Sequence, residues 1–247
     1  MNPIVLVPAR MASARLPGKP LALIAGEPMI VHVWRRACAA NVGPVVVAAA
    51  EPQIARAVEE KGGRAVLTDP ALPSGSDRIF AALKSLDSGS AHDIIVNVQG
   101  DLPGLDPHCV TAVVDTLVRS GADIATLAAE ITDSGDYENP AVVKPIVSWE
   151  RNGTHGNALY FTRARAPSGE GPLFHHVGIY AFTRSALERF VALPPSLLEQ
   201  REKLEQLRAL EAGMRIAVAR VDSVPLSVDT PADLEEARRT LAKPRAT

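Results

Sequence analysis

Within the first hundred residues, short β-branched runs alternate with stretches of helical periodicity, and this pattern constrains the fold more than any other feature. Apolar runs at 4–7, 45–48, 65–67 and 94–98 read as strands, and the segments at 29–40, 53–61 and 78–86 read as helices between them. Strands joined through helices of this length need right-handed crossovers. They build an α/β fold: a mostly parallel central sheet with helices on both faces. Ligands bind such sheets at the carboxyl ends of the strands, so the residues that follow each strand matter most. Here these are 8–19, 49–51, 69–78 and 99–103.

The pattern changes after Asp123. Segments 124–131, 142–148, 159–162 and 175–182 read as strands without long helices between them, predicting a smaller antiparallel segment at about 130–185 within a single domain spanning 1–247. A patterned helix is expected at 197–212, with Leu197, Leu204, Leu207 and Leu210 on its core face and Glu199, Glu202, Glu205 and Gln206 on a solvated one. A strand at 216–221, a last helix from Pro231 to about Leu241 and a frayed tail at 243–247 complete the reading.

With 47% apolar and 22% charged residues and a formal charge of −2, the chain has the balance of a globular protein and lacks the basic footprint of a nucleic-acid binder. No stretch approaches the roughly 18 consecutive apolar residues of a membrane span, and the N-terminus has no secretory pattern, so a cytoplasmic location is expected. The two cysteines, Cys38 and Cys109, have no CxxC partner and are expected to be buried thiols.

The loop Pro8-Ala9-Arg10-Met11-Ala12-Ser13-Ala14-Arg15-Leu16-Pro17-Gly18-Lys19-Pro20 places three cations among small residues at the ligand edge of the sheet. Its backbone can cradle phosphate oxygens, Arg10 offers a planar fork and Lys19 a point charge. Neither GxxxxGK[ST] nor GxGxxG is present, which excludes the common nucleotide fingerprints. Asp101 directly follows the apolar strand, where a carboxylate beside phosphates suits a magnesium ion. In Val228-Asp229-Thr230-Pro231-Ala232-Asp233, Thr230 reads as an N-cap, Pro231 as the first helical residue and Asp233 as the capping partner. The cap does not need an acid at 229, which leaves Asp229 available as a second metal carboxylate. On the strand His175-His176-Val177-Gly178-Ile179-Tyr180, alternation sets His176, Gly178 and Tyr180 on one face. Adjacent strand histidines cannot chelate one metal, so this is a polar face for a ligand, a partner or a hydrogen bond within the sheet.

Seven segments, in order, resemble the 3-deoxy-manno-octulosonate (Kdo) cytidylyltransferases: 8–21, Ser-Gly-Ser-Asp-Arg at 74–78, Val-Asn-Val-Gln-Gly-Asp at 96–101, 158–164, His-x-Gly-Ile-Tyr at 176–180, Leu-Glu-Gln-Leu-Arg at 204–208 and 228–234. The resemblance implies a GT-A-like nucleotidyltransferase fold, a homodimer formed largely through the second half, Mg2+ as cofactor, and conversion of CTP and Kdo to CMP-Kdo and pyrophosphate. It implies nucleotide contacts from Ala9, Arg10, Lys19, Ser74, Gly75 and Arg78, and magnesium on Asp101 and Asp229, with Lys19 completing the catalytic set. It implies sugar contacts from Gln99, Arg163, His176, Tyr180, Glu205 and Gln206. Ala49-Ala50-Glu51, Pro73 and Leu102 depart from the family's usual residues.

Three other readings stay open at this point. One is a cytidylyltransferase for another acidic sugar, such as sialic acid or 8-amino-Kdo. A second is a glycosyltransferase of related fold, though Asp101, flanked by Gly100 and Leu102, has no second acid two positions away as a DxD signature would need. The third is a non-catalytic nucleotide-binding module.

Overall fold

The structure is a computed structural model that describes residues 1–13 and 15–242, so the tail expectation at 243–247 lies outside the described residues. The chain divides into two compact units, Met1–Val110 with the segment from Pro225 onward, and Thr111–Val224.

In chain order, the first unit holds β1 (Pro3–Ala9), a hairpin of β2 (Leu23–Ile24) and β3 (Glu27–Pro28), α1 (Met29–Ala39), β4 (Val45–Ala49), α2 (Pro52–Glu59), β5 (Arg64–Leu67), α3 (Gly75–Leu86) and β6 (Ile94–Asn97). The boundary falls within α4 (Pro107–Ser120). The second unit contains β7 (Ile124–Glu130), β8 (Lys144–Trp149), β9 (His155–Thr162), β10 (Phe174–Thr183), α5 (Arg184–Ala192), α6 (Leu197–Glu202), α7 (Leu207–Glu211) and β11 (Ile216–Val221). The chain then re-enters the first unit with α8 (Pro231–Leu241).

The first unit is the expected parallel sheet, in the order β5-β4-β1-β6, with Val5 opposite Val45 and Ile4 opposite Ile95. Strands β4 and β6 are buried at every position, as strands covered on both faces must be, and this is why they read as unbroken apolar runs rather than alternating ones. The helices supply the covering stripes: Ile30, Val33 and Ala37 from α1, Ile54 and Val58 from α2, Ile79 and Leu83 from α3. Ser74 caps α3 by accepting the Asp77 amide, and Thr230 and Asp233 form the predicted capping box of α8.

The second unit orders its strands β10-β7-β11-β9-β8. Only β7 and β11 run parallel; the other pairs are antiparallel. The expected antiparallel segment holds β8, β9 and β10, but the helices α4 and α5 were not anticipated from the sequence.

Two expectations need correction. The helix expected at 197–212 is two short helices, because Lys203 takes a left-handed conformation (φ 58°, ψ 44°) that ends α6. Its faces also differ from the expectation: Glu199, its side chain 13% exposed, pairs with Arg208 and Gln206 is 6% exposed, whereas Leu197, expected in the core, is 82% exposed. Cys38 is exposed rather than buried, since Ala37 beside it takes the inward position on α1; Cys109 is buried as expected, and burial pushes its thiol up to about 11.

Candidate active site

The loop that follows β1 is shaped by a few backbone bonds. Gly18 adopts a left-handed conformation (φ 73°) and starts a single 3-10 turn at Lys19–Leu21, with Pro20 buried beneath it. The Gly18 N–H donates to Met11 O at 3.1 Å, which closes the loop and sets where Lys19 emerges. Lys19 then reaches inward, its side chain only 13% exposed, and its ammonium donates to Asp101 Oδ2 at 2.9 Å and to Asp229 Oδ1 at 3.1 Å. Burial works to lower the pKa of this ammonium, but the two carboxylates outweigh it and hold the group above its ordinary value.

The aspartates are placed by the main chain. Beyond β6, Gly100 passes so close to β1 that a Cβ there would lie 2.5 Å from Pro8 O, so only glycine lets Asp101 follow the strand into the cleft. The Val228 N–H donates to Asp101 O at 2.9 Å, joining the two acid-bearing segments directly. Asp233 Oδ2 accepts the backbone amides of Asp229 and Thr230, so residue 229 is oriented by the helix cap while its own carboxylate faces Lys19. The reading of Asp229 as a group not needed for the cap is supported by this geometry.

These residues line a cleft of about 380 Å³ together with Ala9, Arg10, Arg15, Ser74, Gly75, Arg78 and Gln99. Every nucleotide-side residue expected from the sequence is there. Ser74 has a second task, since its hydroxyl donates to Asp77 Oδ2 at 2.7 Å and accepts the Asp77 amide as the α3 cap. Arg78 is 2% exposed and donates through Nη1 to Thr68 Oγ1 at 2.7 Å and Asp69 O at 3.0 Å; its Nη2 has no hydrogen-bond partner. Desolvation, with Arg10 nearby, lowers its pKa. Leu102, where this chain departs from the family's usual residue, is buried in the core and is not part of the cleft lining. Arg15 was passed over as a site residue, yet it pairs with Asp229 Oδ1 at 3.1 Å. The sequence showed the cation but not its direction.

Of the six sugar-side residues, Gln99 belongs to this cleft and the other five to the second unit. On β10 the rings of His176 and Tyr180 lie 5.5 Å apart, on the face that alternation predicted, and Phe161 meets His176 edge-on at 4.9 Å. Thr126 Oγ1 lies 3.0 Å from His176 Nε2 and 2.9 Å from Ile179 O. One hydroxyl proton serves the carbonyl, which assigns the imidazole proton to Nε2. The crowding that strips water from the charged ring pushes His176 down to about 3, and the same burial, with Glu205 nearby, raises Tyr180. Both side chains are neutral at physiological pH. Gln206 Nε2 is buried without a hydrogen-bond partner. Arg163 directs three donors to the carbonyl oxygens of Glu202, Pro140 and Lys203, which ties it to the end of α6.

Asp101 and Asp229 share one cationic partner, so two oxygen donors already face a common positive charge. Among the described residues, no group of three or more His, Cys, Asp or Glu could hold a metal ion. Two carboxylates side by side suit a small hard cation that takes its remaining oxygens from phosphate and water, the habit of magnesium.

A parallel sheet with a cationic loop after its first strand, one carboxylate beyond β6 and a second just before α8 is the site of a nucleotidyltransferase, the class to which the comparisons also point. A family model described as cytidylyltransferase matches residues 4–216. The chain is 64% identical over 242 residues to the 3-deoxy-manno-octulosonate cytidylyltransferase of Parvibaculum lavamentivorans, covering 98% of this chain and 93% of that protein. It is 62% identical over 240 residues to the enzyme of the same name from Rhodospirillum centenum, with coverage of 97% and 93%. A solved structure of CMP:2-keto-3-deoxy-manno-octonic acid synthetase complexed with CTP superposes with a TM-score of 0.90 at 37% identity, covering 98% of this chain and 99% of that one. The chain belongs to the 3-deoxy-manno-octulosonate cytidylyltransferase family.

Proposed function

We propose that this enzyme joins CTP and Kdo to give CMP-Kdo and pyrophosphate, supplying the activated sugar for lipopolysaccharide synthesis. The observation that carries this reading is the convergence of Lys19, Asp101 and Asp229 in a cleft also lined by Arg10, Ser74, Gly75 and Arg78. The named relatives and the CTP-bound structural neighbour supply the substrate pair.

In this reading the anomeric hydroxyl of the sugar forms a bond to the α-phosphorus while the bond to the bridging oxygen of the leaving pyrophosphate breaks, the hydroxyl proton passing to solvent. The Lys19 ammonium and the Arg10 guanidinium face the charge that builds on the leaving group. Arg78, with one nitrogen unpartnered, suits a carbonyl oxygen of the base. In the second unit, neutral His176 and Tyr180 and buried Gln206 offer hydrogen bonds to the hydroxyls of a sugar acid, and Arg163 offers positive charge to its carboxylate. Asp101 and Asp229 would hold magnesium, which when bound acidifies a coordinated hydroxyl and screens phosphate charge. A homodimer and a cytoplasmic location belong to the same reading; among the described residues, no helix is long and apolar enough to cross a membrane.

Pyrophosphate release by purified protein tests it, with CTP, magnesium and Kdo against parallel reactions with sialic acid, 8-amino-Kdo and UTP, and with a chelator. Release confined to CTP, Kdo and magnesium is expected. Release with a different sugar acid would reassign the substrate, and release unaffected by chelation would remove the metal.

A further inference from the structure

Glu51 stands at the start of α2 and behaves unlike a helix cap. A residue there normally turns its side chain onto the first free amides of its own helix. The Glu51 side chain makes no such bond, and its Oε2 instead accepts the backbone N–H of Met11, at 2.9 Å, in the loop after β1. The two segments run side by side up to this point, since the Ala50 N–H donates to Ala9 O at 2.9 Å. Arg10, Ala12 and Ser13 line the cleft on either side of Met11, while Met11 and Glu51 do not. The tie extends further: Met11 O accepts the Gly18 N–H, and Gly18 begins the turn that carries Lys19. Two hydrogen bonds in series thus run from the end of β4 to the base of the lysine that meets both aspartates.

Resting on the cleft being a triphosphate site, we propose that Glu51 is a positioning residue for the nucleotide: through Met11 it fixes the loop that presents Arg10 and Lys19. Its charge makes the idea testable by sign. A carboxylate beside a cation cluster works against an incoming polyanion, so if Glu51 acted only through its field, removing it would tighten CTP binding. Positioning requires the reverse.

Three measurements decide. Hydrogen exchange on the native protein should find the Met11 amide protected; exchange at the rate of an unstructured amide would overturn the tie without any variant. Calorimetry with CTP should show Glu51→Ala binding about tenfold or more weakly, while Glu51→Gln, which keeps the acceptor oxygen, stays within about threefold of the native protein. Equal or tighter binding by Glu51→Ala overturns the proposal, as does an equal loss in both variants. In steady-state assays Glu51→Ala should raise KM for CTP and lower kcat while leaving KM for Kdo unchanged; a rise in KM for Kdo alone points away from the triphosphate loop and overturns it. Native protein that binds CTP but does not use Kdo would defeat the sugar assignment and leave the calorimetric comparison valid. Native protein that fails to bind CTP would defeat the reading of the cleft and this proposal's role with it, while the exchange measurement still judges the hydrogen bond.

Discussion

Lys19 Nζ lies 2.9 Å from Asp101 Oδ2, across 82 positions of sequence, and this contact organises the cleft. The ammonium is held charged across the neutral range, and while its partner carboxylates are ionised the pairing contributes stability below the ordinary lysine pKa that is lost as the pH rises through the higher folded value. Lys19→Met should therefore lower kcat by about 10²–10³-fold, the usual loss when one stabilising donor is removed. Circular dichroism should show the fold intact. A variant that keeps native turnover would show that Lys19 does not act on the reacting phosphates.

The half-buried face of β10 that carries His176 predicts an acid response. His176 is held neutral down to about 3, whereas an unfolded histidine takes up a proton near 6.5. The unfolded chain thus binds more protons between these values, and stability falls as the pH drops through that window, by at most about 1.4 kcal/mol per pH unit from this one group. Urea denaturation from pH 7 to 4 should show a shallower acid loss in His176→Gln, and the His176 ring should not titrate by NMR above pH 5.

Gly100 should tolerate no side chain. A Cβ there would meet Pro8 O at 2.5 Å, a contact with main chain that cannot rotate aside. Gly100→Ala must push apart the ends of two buried strands, at a cost of about 1–3 kcal/mol, and should displace Asp101 with them. Urea melts joined to turnover measurements should find both stability and activity reduced; a neutral outcome would show that the strand ends part freely.

Arg208 and Glu199 form a largely buried bidentate pair at 2.6 and 2.8 Å, with the guanidinium 5.2 Å over the Phe190 ring. Burial raises the Glu199 carboxyl, but Arg208 and the Ser196 amide outweigh it and lower its pKa, so this stabilisation is present above the ordinary glutamate pKa and fades as the pH falls through the lower folded value. Arg208→Met leaves the carboxylate uncompensated and should cost about 3–5 kcal/mol. The double variant Glu199→Leu with Arg208→Met should recover most of that loss, as thermal melts can show.

These positions also show what the sequence made legible. The parallel unit was readable because its strands are built on short apolar runs followed by polar loop residues, and the α8 cap because Thr230, Pro231 and Asp233 have no other local explanation. The break between α6 and α7 was hidden: the leucine spacing continues through it, and the left-handed residue is a lysine rather than a glycine. Helix α4 was missed because its valines are strand formers locally, and the helical spacing of Val110, Val113, Val114 and Leu117 is settled only by packing. At the site, position after a strand identified Asp101, but the directions of Arg15 and Arg163 depend on contacts that spacing does not encode.

The hydrogen bond from Val228 to Asp101 fastens a late segment of the chain onto an early one, beside the residue that brings the second carboxylate. Synthesis proceeds from the N-terminus, so the sheet and the phosphate loop are complete long before position 229 is translated. A message that stops early yields a product with cationic loop and sheet but no second acid. In the proposed reaction the second acid therefore reaches the cleft only when the chain is nearly complete.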